Sequence, residues 1–417
     1  MTKKAIQVAD IDLQDLASST DYSRDAEDWY PIGRDYRTFS GTYNGNGHTI
    51  SNLKINCRHD YKTNIGLFGI SNGTLVGIHL RNVDITLDVP QPYTGALVGQ
   101  VEGGDITACS ATGKIGTVPC YPSNDGTIYA TGGLIGCVKV MTHISFCRSD
   151  VNIGENGIII GNSDPSYYTC YVGGLIGYAS IAGIVSCRSS GNINLGNFNA
   201  PKQHNIRVGG FVGSDGSDSY SYLEINGSYS TGGINISFND GDPAPDNTPK
   251  ELYVGGFIGY ANDRNSACVS CYTYTPITFT HPALQGSSTT MPDYYIAGFA
   301  GKIGGSNILQ CYGDGQSLST LKLDFRNLPI YYFSPSGTGT IQDYFYYQTM
   351  PPNAVIGLMR NNNRSSYEKF KFVKYDPLTN LYLIDSKEQT WNNQTFWKST
   401  TTVEGHPEIN YDILNKQ

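Results

Sequence analysis

The sequence predicts an all-β chain folded as a single right-handed parallel β-helix with N- and C-terminal caps. Three observations predict it. A Gly-rich phrase returns along the chain at a repeat-like spacing, and a cysteine phrase follows it at a nearly fixed distance. No interval between copies holds a helical apolar stripe of ten or more residues.

The Gly-rich phrase reads Gly66-Leu67-Phe68-Gly69, Gly95-Ala96-Leu97-Val98-Gly99, Gly132-Gly133-Leu134-Ile135-Gly136, Gly173-Gly174-Leu175-Ile176-Gly177, Gly209-Gly210-Phe211-Val212-Gly213 and Gly255-Gly256-Phe257-Ile258-Gly259. A degraded copy follows at Ala297-Gly298-Phe299-Ala300-Gly301, and successive closing glycines lie 30 to 46 residues apart. The second phrase ends in Cys109, Cys147, Cys187, Cys271 and Cys311, each 10 to 12 residues after a closing glycine, with Ser228 in the fifth copy. Short strand-like runs punctuated by Gly, Asn and Ser fill each unit. A unit this small cannot bury both faces of its strands, so units stack in parallel and share one core. Parallel crossovers are overwhelmingly right-handed, which sets the expected hand.

Unit length varies because of Pro-, Asn-, Asp- and Ser-rich insertions at 121–127, 162–168, 199–205, 240–250 and 281–293. The predicted organisation is an N-terminal cap and first coil over 1–38, repeats over 39–317, and last coils with a capping segment over 318–417. The final segment keeps strand-like runs such as Tyr344-Phe345-Tyr346-Tyr347 but loses the repeat. A cap is expected there because solenoid ends expose unpaired strand edges.

Composition narrows function. The formal charge is −8 and charged residues are 15% of 417, which argues against nucleic acid as a partner. No stretch of about 18 apolar residues occurs, so no membrane-spanning helix is predicted. The chain starts Met-Thr-Lys-Lys without an apolar signal segment. That fits either a processed fragment of an exported protein or export by another route, as for a phage tail protein.

The register of the cysteines predicts a ladder of buried free thiols rather than disulfides, since stacked Cβ atoms about 4.8 Å apart point the wrong way for unstrained bonds. Cys268-x-x-Cys271 is a single pair and too sparse for zinc. Cys120, Cys137 and Cys170 fall outside the ladder. Cys137 shares its slot with Gln100, Tyr178, Ser214, Tyr260 and Lys302, a variability that predicts an exposed position.

Catalysis has no evident home. No P-loop occurs. A glycan-cleaving β-helix would need paired carboxylates about 5–9.5 Å apart or a base beside a cation. The pairs present, Asp10/Asp12, Asp215/Asp218 and Asp240/Asp242, sit in turn-like contexts. Asp240, Asp242 and Asp246 form a weak calcium candidate without the ligand spacing of an EF-hand. No metal and no cofactor are otherwise expected, and His48 is expected to serve a turn.

Tyrosine is the suggestive residue, with 31 copies. Tyr93, Tyr171, Tyr253 and Tyr295 stand six residues before a closing glycine, and Tyr178 and Tyr260 stand just after one. Tyr121, Tyr167, Tyr168 and Tyr294 lie in or beside the insertions. Rigid amphipathic rings beside polar loops could grip a sugar chain or a protein, and the candidates are Tyr121, Tyr167, Tyr168, Tyr178, Tyr260 and Tyr294. The competing reading makes the columns plain aromatic ladders.

The opening run Phe39-Ser40-Gly41-Thr42-Tyr43-Asn44-Gly45-Asn46-Gly47-His48-Thr49-Ile50-Ser51-Asn52-Leu53, preceded by Asp10-Ile11-Asp12-Leu13 and Trp29-Tyr30-Pro31-Ile32-Gly33, closely resembles the GLUG-motif proteins. These are bacterial surface and adhesin-like repeat proteins common in gut Bacteroidetes. The tail Phe396-Trp397 and Gly405-His406-Pro407-Glu408-Ile409 is similar to the ending of such regions. The resemblance covers roughly residues 8–315 and the last thirty. It implies a secreted or surface-anchored β-helix with no catalytic motif of its own, and hence an adhesin-like protein binding host or microbial glycans or extracellular proteins. A phage tail or receptor-binding protein and a polysaccharide-degrading β-helix are the alternatives.

Overall fold

The computed structural model describes residues 3–14, 29–33, 37–57, 64–89, 91–120, 128–160, 168–198, 204–216, 221–238, 251–261, 265–269, 271–280, 293–303, 306–309 and 311–313, with short strands from 341 to 409. Among them there is no α-helix, and nothing helical is long and apolar enough to cross a membrane. The expected all-β parallel solenoid is what forms.

Each turn visits four sheets. In chain order they are sheet I, leading into the Gly-rich phrase; sheet II, leaving it; sheet III, before the cysteine; and sheet IV, after it. Sheet I has six strands, Tyr93–Gly95, Tyr129–Gly132, Tyr168–Gly173, His204–Gly209, Glu251–Gly255 and Asp293–Ala297. Sheet II has seven, from Phe68–Ser71 through Ile135–Val138 and Ile176–Ala179 to Ala300–Ile303. Sheet III has ten, from Lys4–Ile6 to Ile341–Gln342, so it runs roughly 40 Å along the axis at about 4.8 Å per strand. Sheet IV runs from Ile11–Asp12 to Tyr312–Gly313 and carries extra strands such as Ile193–Phe198, Ile234–Phe238 and Ile277–Thr280. Neighbouring turns pair in parallel and in register.

Register turns the repeated phrases into columns. Leu75, Ile106, Ile144, Ile184, Ile225, Cys268 and Ile308 stack in sheet III, all buried. Cys268 therefore fills an isoleucine slot, which explains why it is a small apolar residue and not half of a metal pair. At the Gly-rich corner both adjacent apolar residues are inward, as with Leu134 and Ile135 or Leu175 and Ile176. The chain bends between them, and the N–H groups of Leu175 and Ile176 both donate to the Phe211 carbonyl, 2.9 and 3.1 Å away. Phe211, Phe257 and Phe299 continue that corner as a ring stack with centroids 4.6 and 5.0 Å apart.

The glycines are there because backbone meets backbone. A Cβ on Gly173 would lie 1.9 Å from the Ile176 carbonyl oxygen, inside the tight corner. One on Gly177 would lie 2.7 Å from both the Gly136 oxygen and the Thr131 nitrogen, so sheet II presses flat against sheet I of the preceding turn.

The thiol ladder forms as expected. Cys109, Cys147, Cys187, Cys271 and Cys311 are buried free thiols. The Cys147 N–H donates to the Cys187 sulfur at 3.3 Å and the Cys271 N–H to the Cys311 sulfur at 3.4 Å. The Cys147 thiol reaches the carbonyls of Ser145 and Ile106, its own turn and the one before. Ser228 keeps the pattern, accepting from the Cys187 N–H and donating to the Asn226 carbonyl, both at 3.1 Å. The residue before the ladder takes a left-handed conformation at Ala108, Phe146, Ser186 and Gly227, with φ of 52 to 55°. That bend aims the next side chain into the interior.

A second inner column went unread in the sequence. Ser149, Ser189, Ser230 and Thr273, two residues past the ladder, are buried and in register. Ser189 and Ser230 donate across the interior to the carbonyls of Gly210 and Gly256, at 2.5 and 2.7 Å, tying sheet IV to the Gly-rich corner.

The ends start and stop on rungs. Lys4–Ile6 pairs with Thr42–Asn44, and Ile11–Asp12 with Ile50–Ser51. Ile341–Gln342 adds a strand after Ile308–Leu309. Beyond it Tyr344–Tyr347, Phe370–Asp376 and Leu381–Ile384 form a small mixed sheet, and Trp397–Val403 forms a hairpin with His406–Ile409.

Candidate functional site: the tyrosine seam and the insertion corner

The two tyrosine columns face each other across the Gly-rich corner. On sheet I the column is Tyr93, Ala130, Tyr171, Arg207, Tyr253 and Tyr295. On sheet II it is Gln100, Cys137, Tyr178, Ser214, Tyr260 and Lys302. Because the two sheets meet back to back, side chains that leave the main core are trapped between them. The result is a second, smaller buried seam holding Tyr93, Ala130, Cys137, Tyr171 and Tyr178 at one end.

This placement corrects the expectation for Cys137. It is completely buried, and burial pushes its thiol up to about 12. Its slot varies because each occupant must fit the residue opposite, not because the slot is exposed. Tyr178 and Tyr260 are 5% and 8% exposed. Tyr178 stacks on Tyr171 with centroids 5.1 Å apart, and Tyr260 meets Tyr253 edge-on at 5.0 Å. Tyr171 and Tyr178 therefore cover each other's faces, whereas Tyr260 and Tyr253 make only an edge contact. Tyr253 also stacks on Tyr295 at 4.9 Å, and burial, then the Glu251 carboxylate, raise its hydroxyl above the ordinary tyrosine range.

The seam is cationic as well as aromatic. Arg207 occupies the tyrosine slot of its turn and is 9% exposed. Its guanidinium lies 3.7 Å from the Tyr260 ring centroid and 5.1 Å from that of Tyr171. Nη1 donates to the Tyr171 hydroxyl at 3.3 Å and to Ser214 Oγ at 3.1 Å, while buried Nε has no partner. Lys139 caps the Tyr93 ring at 4.8 Å, and Lys302 lies 5.4 and 5.0 Å from the rings of Tyr253 and Tyr260. Sequence reasoning missed Arg207, although an arginine six residues before Gly213, in a slot otherwise rich in tyrosine, was the available signal.

The insertions all open at one corner. Those after Val118–Cys120, Ile158–Ile160, Ile193–Phe198, Ile234–Phe238 and Ile277–Thr280 each lead into a sheet I strand. Tyr121, Tyr167, Asp240, Asp242 and Asp246 lie outside the described residues. Tyr168 starts the strand Tyr168–Gly173 opposite His204, and Tyr294 pairs with Leu252 in Asp293–Ala297. The structure thus brings Tyr178 and Tyr260 into one seam and sets Tyr168 and Tyr294 in the strands that lead to it.

The acidic pair Asp10/Asp12 serves the first coil. Asp10 accepts the Thr49 N–H at 2.8 Å and lies 3.4 Å from His48 Nδ1. Asp12 accepts from the Gln14 N–H and from Asn52 Nδ2, which heads a short asparagine ladder continued by Asn82. These bonds hold both carboxyls below the ordinary range, the Thr49 amide acting most on Asp10 and the Gln14 amide most on Asp12. Asp215 is fully buried beside the seam.

Residues 91–116 match the family described as the GLUG motif, and this stretch is one whole turn, from sheet I through the corner to sheet IV. The chain is also similar to Halomucin of Haloquadratum walsbyi, at 31% identity over 151 residues; the match takes in 34% of this chain and 2% of that protein's length. Among solved structures it is similar to a Bacteroides ovatus protein provisionally named an immunoglobulin A1 protease, with a TM-score of 0.43 and 15% identity over 75% of this chain and 78% of that one. The chain is a parallel β-solenoid, and the turn formed by residues 91–116 is a GLUG motif.

Proposed function

We propose that this chain is a non-catalytic, adhesin-like surface or secreted binding protein whose solenoid presents its insertions to glycan or protein ligands. The observation that carries this reading is topological. Insertions differing in length and composition all leave from the same corner, between the strands that continue sheet IV and the start of sheet I. A scaffold that holds its register while varying one loop per turn lines those loops up along a single edge, about 4.8 Å apart at their roots. The acidic pair in the first coil is engaged with backbone and turn groups, which supports binding over hydrolysis. The GLUG motif supports placement outside the cell.

The test is retention of the purified chain on a panel of glycans and mucosal proteins, with reducing-end release read from the same wells. Retention without release is expected. Release of sugar ends would make the protein an enzyme, and silence in both would leave a spacer.

A further inference from the structure

Gly183 is a glycine without a steric reason. It sits mid-strand in Ile181–Val185 of sheet III, its φ is not positive, and an added Cβ would meet only His143 Cδ2 at 3.6 Å, an ordinary contact. Glycine there gives up backbone entropy and side-chain packing, and it leaves the space above the strand open to something that approaches the backbone.

In-register pairing sets this gap in a row of outward side chains. Asp105, His143, Gly183 and Glu224 follow one another on successive turns and face outward, since Ile106, Ile144, Ile184 and Ile225 beside them fill the core. His143 Nδ1 lies 3.2 Å from the Asp105 carboxylate, while the Cδ2 edge of the ring, which also carries Nε2, leans over Gly183. With its Nδ1 proton given to Asp105, the neutral ring presents Nε2 as an acceptor. On the far side of the gap, Glu224 accepts from the Tyr222 hydroxyl and from Asn226 Nδ2, the latter at 2.9 Å. These donors, Tyr222 foremost, hold its carboxyl below the ordinary range, and each oxygen keeps a lone pair for a further donor.

The rim is apolar. Beyond Ile32, the large hydrophobic side chains left exposed among the described residues are Val140, Met141 and Tyr222, and all three gather here. Tyr222 pairs with Ile181, and Met141 precedes Thr142, the partner of Ala182, so Met141, Ile181 and Tyr222 make a row beside the gap. Single exposed apolar residues are ordinary, whereas a group of them marks a contact surface.

We infer that Gly183 floors a site on the outer face of sheet III for one neutral hexopyranose unit of a glycan. The apolar face of the sugar lies on the bare backbone and the row ending in Tyr222, and hydroxyls on its two edges donate to His143 Nε2 and to the Glu224 carboxylate. These acceptors stand on strands two spacings apart, roughly 10 Å, which one sugar ring bridges with a hydrogen bond at each edge. Acidic ligands fit worse, because Asp105 and Glu224 repel them. A protein face needs about 800 Å² and has no use for a gap one residue wide. The inference rests on the reading of the chain as a binding protein but not on its insertions.

The test titrates the full chain by calorimetry with neutral trisaccharides of glucose, galactose and mannose, and with spermidine as a cationic competitor for Glu224. Saturable binding of at least one trisaccharide is expected. Gly183→Val fills the gap with a strand-favouring side chain, so affinity is expected to fall by about tenfold or more while the urea midpoint holds or rises. Glu224→Gln and His143→Ala, both on the outer face, are each expected to lose about tenfold. Should the valine variant fail to fold, Glu224→Gln decides alone. Spermidine bound in place of every trisaccharide, or a folded valine variant that binds like the parent, would overturn the inference. If no trisaccharide binds while the glycan and protein panel still retains the chain, the inference falls and the binding-protein reading stands. If the panel is silent too, both fall.

Discussion

Two columns built by the same repeat behave in opposite ways. The inner ladder holds nearly one residue type, Cys109, Cys147, Cys187, Ser228, Cys271 and Cys311. The seam column one sheet away holds Gln100, Cys137, Tyr178, Ser214, Tyr260 and Lys302. Both are largely shut to solvent. The ladder is uniform because its thiols meet equivalent backbone carbonyls, in their own turn and in the one before. The seam is varied because each side chain must complement a different partner across the corner, as Ser214 does with Arg207 and Cys137 with Ala130. Uniformity along a solenoid therefore reports backbone partners, and variety reports side-chain partners.

The comparison can be broken most forcefully at the Gly-rich corner, which bounds the seam on one side and packs into the ladder's core on the other. Phe257→Ala removes the middle ring of a buried stack and is expected to cost about 3–5 kcal/mol, read from the urea midpoint. Gly173→Ala places a Cβ against the Ile176 carbonyl and should cost about 1–3 kcal/mol or more. Survival of either at parental stability would mean that the corner is looser than described.

Alkali should strain both columns. Burial raises the thiols of Cys109, Cys137, Cys147, Cys268 and Cys311 above the ordinary 9.0. The unfolded chain then gives up these protons first, so their contribution is complete below about pH 9 and falls as pH rises toward 12. The slope is at most about 1.4 kcal/mol per pH unit for each thiol. Urea midpoints at pH 8 and pH 10.5 would check this, and equal midpoints would contradict it.

Serine substitutions sharpen the contrast. Cys187→Ser puts a hydroxyl where Ser228 already thrives and is expected to cost under about 1 kcal/mol. Cys137→Ser buries a hydroxyl among rings, where Ser214 in the same column has the Arg207 guanidinium as its partner, and should cost about 1–3 kcal/mol. The reverse order would erase the distinction between the columns.

Much of this was legible in the residues. Phrase spacing gave the solenoid, the thiol ladder and the two tyrosine registers, because parallel in-register stacking converts sequence period directly into columns. What the period could not convey was which columns face each other. Cys137 was expected to be exposed because variable slots usually lie at surfaces, and only the back-to-back meeting of sheets I and II shows that its neighbours change from turn to turn. The adjacent apolar pair Leu134 and Ile135 was ambiguous for a related reason. A strand alternates its faces, whereas a bend lets two successive side chains enter one core. Arg207 was passed over because an isolated arginine reads as a solvated charge until its slot in the tyrosine column is recognised.

The central claim, that one repeat builds an inner ladder and an outer seam both closed to solvent, is most directly tested by site-resolved alkylation of the native chain at pH 8, read by mass spectrometry. Half-buried Cys57 should label, while Cys109, Cys137, Cys147, Cys187, Cys271 and Cys311 stay protected until the protein unfolds. Labelling of Cys137 as fast as Cys57 in the folded protein would show that the seam is open and contradict the account.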